Sequence, residues 1–158
     1  MAKAEAIHGL GEDDPYAEVA ATVVTVRSRE LFDHSAGVLD VDDIERVHDM
    51  RVATRRLRAA LEVFEPCFSP KPFKRALKEV KSLADALGER RDRNVTIAAL
   101  VEFAADVSEA DRPGIESLID QLRDEQREAN EALAPAVSTE RLAKLDKRLT
   151  KLAAGVTK

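Results

Sequence analysis

Apolar side chains recur at three- and four-residue spacings along almost the whole of this 158-residue chain, and no convincing run alternates with the period of two that a strand needs. That periodicity predicts an all-α protein. Turn signals divide it into about six helices. Asp14 and Pro15 open the first, which runs to about Ala36 with Gly37 as its stop. Asp40 or Asp42 caps a second helix that continues to Glu65. The corner Pro66-Cys67-Phe68-Ser69-Pro70 leads into a third, ending at Gly88. A fourth spans about Asp92 to Val107, and a fifth follows the break at Ser108 to Gly114 and reaches Leu133. Pro135 and Ser138 separate it from a sixth, which ends near Ala154. Connections this short predict an antiparallel bundle. Residues 1–13 are expected to form a flexible N-terminal segment, and 14–155 one helical domain.

The length suits a single domain that needs no covalent staple. Cys67 is the only cysteine, so no disulfide forms within the chain. Hydrophobic residues at 44% and charged residues at 35% describe a folded chain, not a disordered one. No window approaches the roughly 18 consecutive apolar residues of a membrane span. The opening stretch MAKAEAIHGLGEDDP carries acids where a secretion leader would be apolar, so a cytoplasmic location is expected.

The net charge of −5 alone argues against a polyanionic partner. Its distribution argues otherwise. Residues 1–45 hold 3 basic and 11 acidic side chains, residues 46–93 hold 13 and 7, and residues 94–158 hold 9 and 12. A positive middle lies between two negative ends, and the local field follows the local charge.

Within that middle, Met50, Ala53, Leu57, Ala60, Leu61 and Phe64 share one helical face and form a core stripe. His48, Arg51, Arg55 and Arg58 share another at spacings of three, four and three, with Arg56 on a flank. Such spacing stacks cationic heads about 5–6 Å apart, which costs helix stability through repulsion. The next helix repeats the design: Phe73, Leu77, Val80, Ala84 and Leu87 face the core, and Lys71, Lys74, Lys78 and Lys81 form a second stripe beside Arg75. A hairpin about the 66–70 corner lets the two cationic stripes face one groove, on the order of 20 Å long. Arg90, Arg91 and Arg93 then cluster where a helix junction is expected, and free backbone N–H groups at such a junction also favour anions.

A groove of stacked Arg and Lys suits a linear polyanion, because Arg forks onto phosphate oxygens and Lys supplies mobile point charge. Nucleic acid is disfavoured as the ligand. The only aromatics in the basic segment, Phe64, Phe68 and Phe73, look like core, and no helix-turn-helix or zinc signature accompanies them. Inorganic polyphosphate fits better.

The stretch V-H-D-M-R-V-A-T-R-R-L-R-A-A-L-E-V-F, followed by L-K-E-V-K-S-L-A-D-A-L-G-E-R-R-D-R-N-V, resembles the CHAD family, the conserved-histidine α-helical domain. The resemblance is specific over about residues 44–97, in the H-x-x-R-x-x-x-R-R-x-R order and the L-G-x-x-R-D-x-x-V junction. It implies a helical polyphosphate-binding module with basic side chains lining a cavity. By motif match it places His48, Arg51, Arg55, Arg56 and Arg58, then Lys78 and Lys81, then Arg91 with Asp92, at that cavity; Lys74 joins them from the lysine stripe. Two departures stand out. Family members typically carry two copies of the helical unit related by a pseudo-two-fold axis, whereas this chain holds one, so a homodimer that rebuilds the full cavity is expected. Asn94 also stands where the junction often has an acid.

Two other classes compete. The His48-Asp49 doublet is the kernel of a metal-dependent HD-type phosphohydrolase, with His34 and either Asp92 or Asp106 as further ligands. Against it, Asp49 sits about 100° from His48 on a helix crowded with arginine. A helical protein-interaction scaffold is the other. No glycine elbow flanks a nucleophile and no Gly-rich phosphate loop is present, so no catalysis and no cofactor are expected. For Lys144, Lys147, Arg148 and Lys151, a solvated surface is the expected role. The polyphosphate reading adds association with polyphosphate granules as an expectation.

Overall fold

The computed structural model describes residues 2–156. Among them are five α-helices and one short 3-10 turn, with no strand: α1 (Tyr16–Asp33), α2 (Ile44–Val63), the 3-10 turn Glu65–Cys67, α3 (Pro70–Asp106), α4 (Arg112–Leu133) and α5 (Thr139–Ala154). The all-α expectation holds. The expected count of six is one too many, because the third and fourth helices are a single helix of 37 residues, about 55 Å long.

Gly88 does not end that helix. A C-terminal glycine stops a helix by taking a positive φ, and among the described residues only Gly9 and Gly37 do so. Helical φ/ψ at Gly88 costs about 1 kcal/mol relative to Ala. Burial of Leu83 and Leu87 before it and of Arg90 and Asn94 after it, all on one face, outweighs that cost. There is accordingly no junction at 88–92 with free backbone N–H groups.

Other boundaries follow local chemistry. Pro15 is the N-cap of α1, while Asp14 turns back to accept the Gly11 N–H at 2.7 Å. Gly37 takes φ +69° before α2, a backbone conformation that favours glycine, and a Cβ there would crowd the Arg46 side chain at 3.0 Å. The core joins Val24 and Leu31 of α1, Met50, Leu57 and Leu61 of α2, Phe73, Val80 and Leu87 of α3, and Leu145 and Leu149 of α5. Thr54 and Ser28 sit in it because each hydroxyl donates to the carbonyl four residues back, at 2.7 Å. α1 packs on α2 and α5, and α2 on the N-terminal part of α3. The rest of α3 forms a hairpin with α4, whose buried residues are Ile119 and Leu133.

The N-terminal segment reaches this core. Ala2 is buried, its N–H donates to Asp49 Oδ1 at 2.7 Å, and its carbonyl accepts from Arg56 Nη2 at 2.8 Å.

Candidate functional site

α2 and α3 run antiparallel on either side of the 66–70 corner, and two contacts between them fix their register. A methyl group on Gly88 would lie 3.8 Å from Arg51 Nε. Further along α2, Glu62 Oε1 accepts from Arg58 Nε at 3.1 Å and lies 3.4 Å from Lys81 Nζ, seven residues back along α3 from Gly88. Arg51 lies over Gly88 on α3, and the two helices enclose a groove between them.

The groove holds a cavity of about 510 Å³ lined by Arg51, Arg55 and Arg58 on one wall and by Asp85, Glu89 and Asp92 on the other, with Ala84 and Gly88 between. Lys81 is half-buried beside it, and Lys78 and Lys74 continue along α3 as exposed side chains towards the corner. The charge is therefore graded: cationic near the corner, mixed towards Asp92. The Arg58 hydrogen bond, helped by Lys81, holds Glu62 below the usual carboxylate range. Glu62 is thus an ionised acid that occupies two of the groove's cations.

One turn beyond Arg51 and Gly88, the same register brings the positions of His48 and Arg91 opposite each other. Both side chains are half-buried, and His48 Nδ1 and Arg91 Nη1 are buried with no hydrogen-bond partner. Neither lines the 510 Å³ cavity. Ligand atoms of Glu45, His48 and Asp49 lie within 4.8 Å of one another. His34 and Asp49 both line a smaller neighbouring cavity, whereas Asp92 lies in the arginine groove and Asp106 at the far end of α3.

Arg56 is turned towards α1. Besides its bond to Ala2 it lies 3.8 Å from Glu30 Oε1. Arg90, grouped with Arg91 and Arg93 at the expected junction, belongs instead to the interior. It is fully buried, with Nε donating to Asn130 Oδ1 at 3.2 Å and Nη1 to Asn94 Oδ1. The signal lay in the spacing, because Leu83, Leu87, Arg90 and Asn94 follow the core face at four, three and four. Asn94 Oδ1 accepts a second bond, from Gln126 Nε2 at 2.7 Å, so the amide acts as the polar hub between α3 and α4.

The CHAD domain family model matches residues 23–157. The chain belongs to the CHAD family. The match takes in α2 to α5 and more than half of α1, so the whole bundle, and not only the arginine-rich segment, is CHAD-like. CHAD domains are a family of polyphosphate-binding modules and are generally non-catalytic. No curated protein matches the chain. No helix among the described residues of this CHAD domain is long and apolar enough to cross a membrane.

Proposed function

We propose that this CHAD domain binds inorganic polyphosphate along the α2–α3 groove without transforming it. The observation that carries the reading is the register of Arg51, Arg55 and Arg58 against Gly88 and Lys81, which aligns three guanidinium groups along one cavity. Guanidinium forks take phosphate oxygens in pairs, and Lys74, Lys78 and Lys81 extend the track as point charges. Asp85, Glu89 and Asp92 repel the chain from the opposite wall and keep it on the arginine side. The orphaned nitrogens of His48 and Arg91 supply donors to an oxygen at the far end.

Two copies of the chain complete the cavity. Val95 and Phe103 support this pairing: both are more than half or about half exposed, at 55% for Phe103 and 50% for Val95, and eight residues apart they share one side of α3. The site of action is the cytoplasm, at polyphosphate granules.

The test is a titration with long-chain polyphosphate and with duplex DNA across a salt series, with mass in solution recorded on the same samples. Polyphosphate binding is expected to outlast DNA binding as salt rises. The triple substitution R51Q/R55Q/R58Q should flatten the salt slope by about two, since each neutralised phosphate contributes roughly 0.7–0.9. An unchanged slope removes the groove from the site, and a monomeric mass at micromolar concentration removes the dimer.

One observation favours a second reading. Glu45, His48 and Asp49 offer three donors close enough for one divalent ion, the start of an HD-type metal-dependent phosphohydrolase. Phosphate release on adding divalent metal, abolished by a chelator, supports it; its absence with every metal tried removes it.

A further inference from the structure

Two basic runs about seventy residues apart in the sequence meet in space. Lys71 and Arg75, in the first two turns of α3, line one cavity of about 380 Å³ together with Arg148 and Lys151 of α5. Pro72 and Leu152 complete its lining. Arg148 is paired with Glu79, but Lys71, Arg75 and Lys151 are exposed and form no ion pair among the described residues. Four like charges around one cavity, with one acid to offset them, favour an anion of more than one charge. Pro70 and Pro72 remove two of the N–H donors that a helix N-terminus ordinarily presents, so the side chains must do the holding.

This cavity is joined to the α2–α3 groove by α3 itself. From Lys71 to Lys81 the helix rises about 15 Å, and Lys74 and Lys78 are exposed along the way. The cationic surface therefore continues from the arginine groove, over the N-terminal turns of α3, onto α5.

We propose that Lys71, Arg75, Arg148 and Lys151 form a second phosphate-binding site, which takes a further stretch of a polyphosphate chain held in the α2–α3 groove. The choice of ligand rests on the polyphosphate reading of that groove. A short oligophosphate occupies one site at a time. A long chain crosses α3 over Lys74 and Lys78 and occupies both, which makes the second contact intramolecular and raises affinity by about 10²-fold or more. The pair of sites thereby selects for chain length.

Binding of tripolyphosphate and of long-chain polyphosphate is measured on the full chain, on K71Q/R75Q/K151Q and on R51Q/R55Q/R58Q. Arg148 is kept because its pairing with Glu79 ties α5 to α3. Glutamine preserves helix propensity, so the thermal midpoint of K71Q/R75Q/K151Q should match that of the parent. That variant is expected to lose about 10²-fold or more in long-chain affinity and one of the two tripolyphosphate equivalents. Single K151Q should give a smaller step in the same direction. Unchanged long-chain affinity with both equivalents retained overturns the second site and leaves the groove standing. Full binding by R51Q/R55Q/R58Q overturns the groove instead, and with it the picture of one chain spanning two sites. Absence of binding by the parent chain overturns both.

Discussion

The Arg90 guanidinium lies wholly inside the protein and donates from Nη1 to the amide oxygen of Asn94, one turn further along α3. Among the described residues its hydrogen-bond partners are Asn94 and Asn130, both neutral amides. Burial pushes its pKa down from the ordinary arginine value. An asparagine at 94 thus serves the fold: it ties α3 to α4 through Gln126 and accepts from a buried cation.

Asn94→Ala leaves that cation without its acceptor on α3 and should destabilise the protein by about 1–3 kcal/mol. Arg90→Met removes the charge itself and refills the volume with an apolar chain, so it should cost clearly less. Denaturant unfolding of the two variants checks the order. Equal losses would mean that the Arg90–Asn94 bond is not what the buried charge depends on.

Gly88→Ala should stabilise the chain by about 0.5–1 kcal/mol, because Ala is the better helix former. The added methyl meets Arg51 Nε at 3.8 Å, an ordinary contact. A rise in thermal midpoint is expected. A fall would place a real break at Gly88 and restore the six-helix expectation.

Glu62→Gln should release Arg58 and Lys81 from their shared acid. Polyphosphate affinity at low salt should then rise by several-fold and the salt slope steepen by about one. A titration of this variant beside the parent decides it, and weaker binding would mean that Glu62 orients Arg58 instead of competing for it.

Glu30 supplies a pH test. Burial disfavours its carboxylate, but the Glu5 N–H, Arg27 and Arg56 together outweigh burial and leave its pKa below the ordinary value. A lowered folded pKa means that the stabilisation is fully present above the unfolded value, about 4.3. It is lost as pH falls through the folded value. Protection of the Glu5 amide from hydrogen exchange, relative to its intrinsic rate, should therefore fall in acid below about pH 4, and Glu30→Gln should lower it in the same way at neutral pH. Protection indifferent to both would show that Glu30 is not what holds the N-terminal segment.

The sequence by itself determined the helical class, the apolar stripes of α2 and α3 and the CHAD motif, because each is a periodicity or a spacing within one segment. Met50, Ala53, Leu57 and Leu61 face the core as their spacing requires, and Arg51, Arg55 and Arg58 share another side for the same reason. Three things waited for the tertiary structure. Whether Gly88 stops a helix depends on what the flanking turns bury, and Arg90 and Asn94 bury themselves against α4. Whether Arg56 joins the groove depends on what lies across from it, and that is Ala2 and Glu30, more than twenty residues away in either case. The meeting of Lys71 and Arg75 with Arg148 and Lys151 depends on α5 returning to pack on α3. Local spacing fixes which face of a helix a side chain occupies; only the packing of helices distant in sequence decides what that face meets.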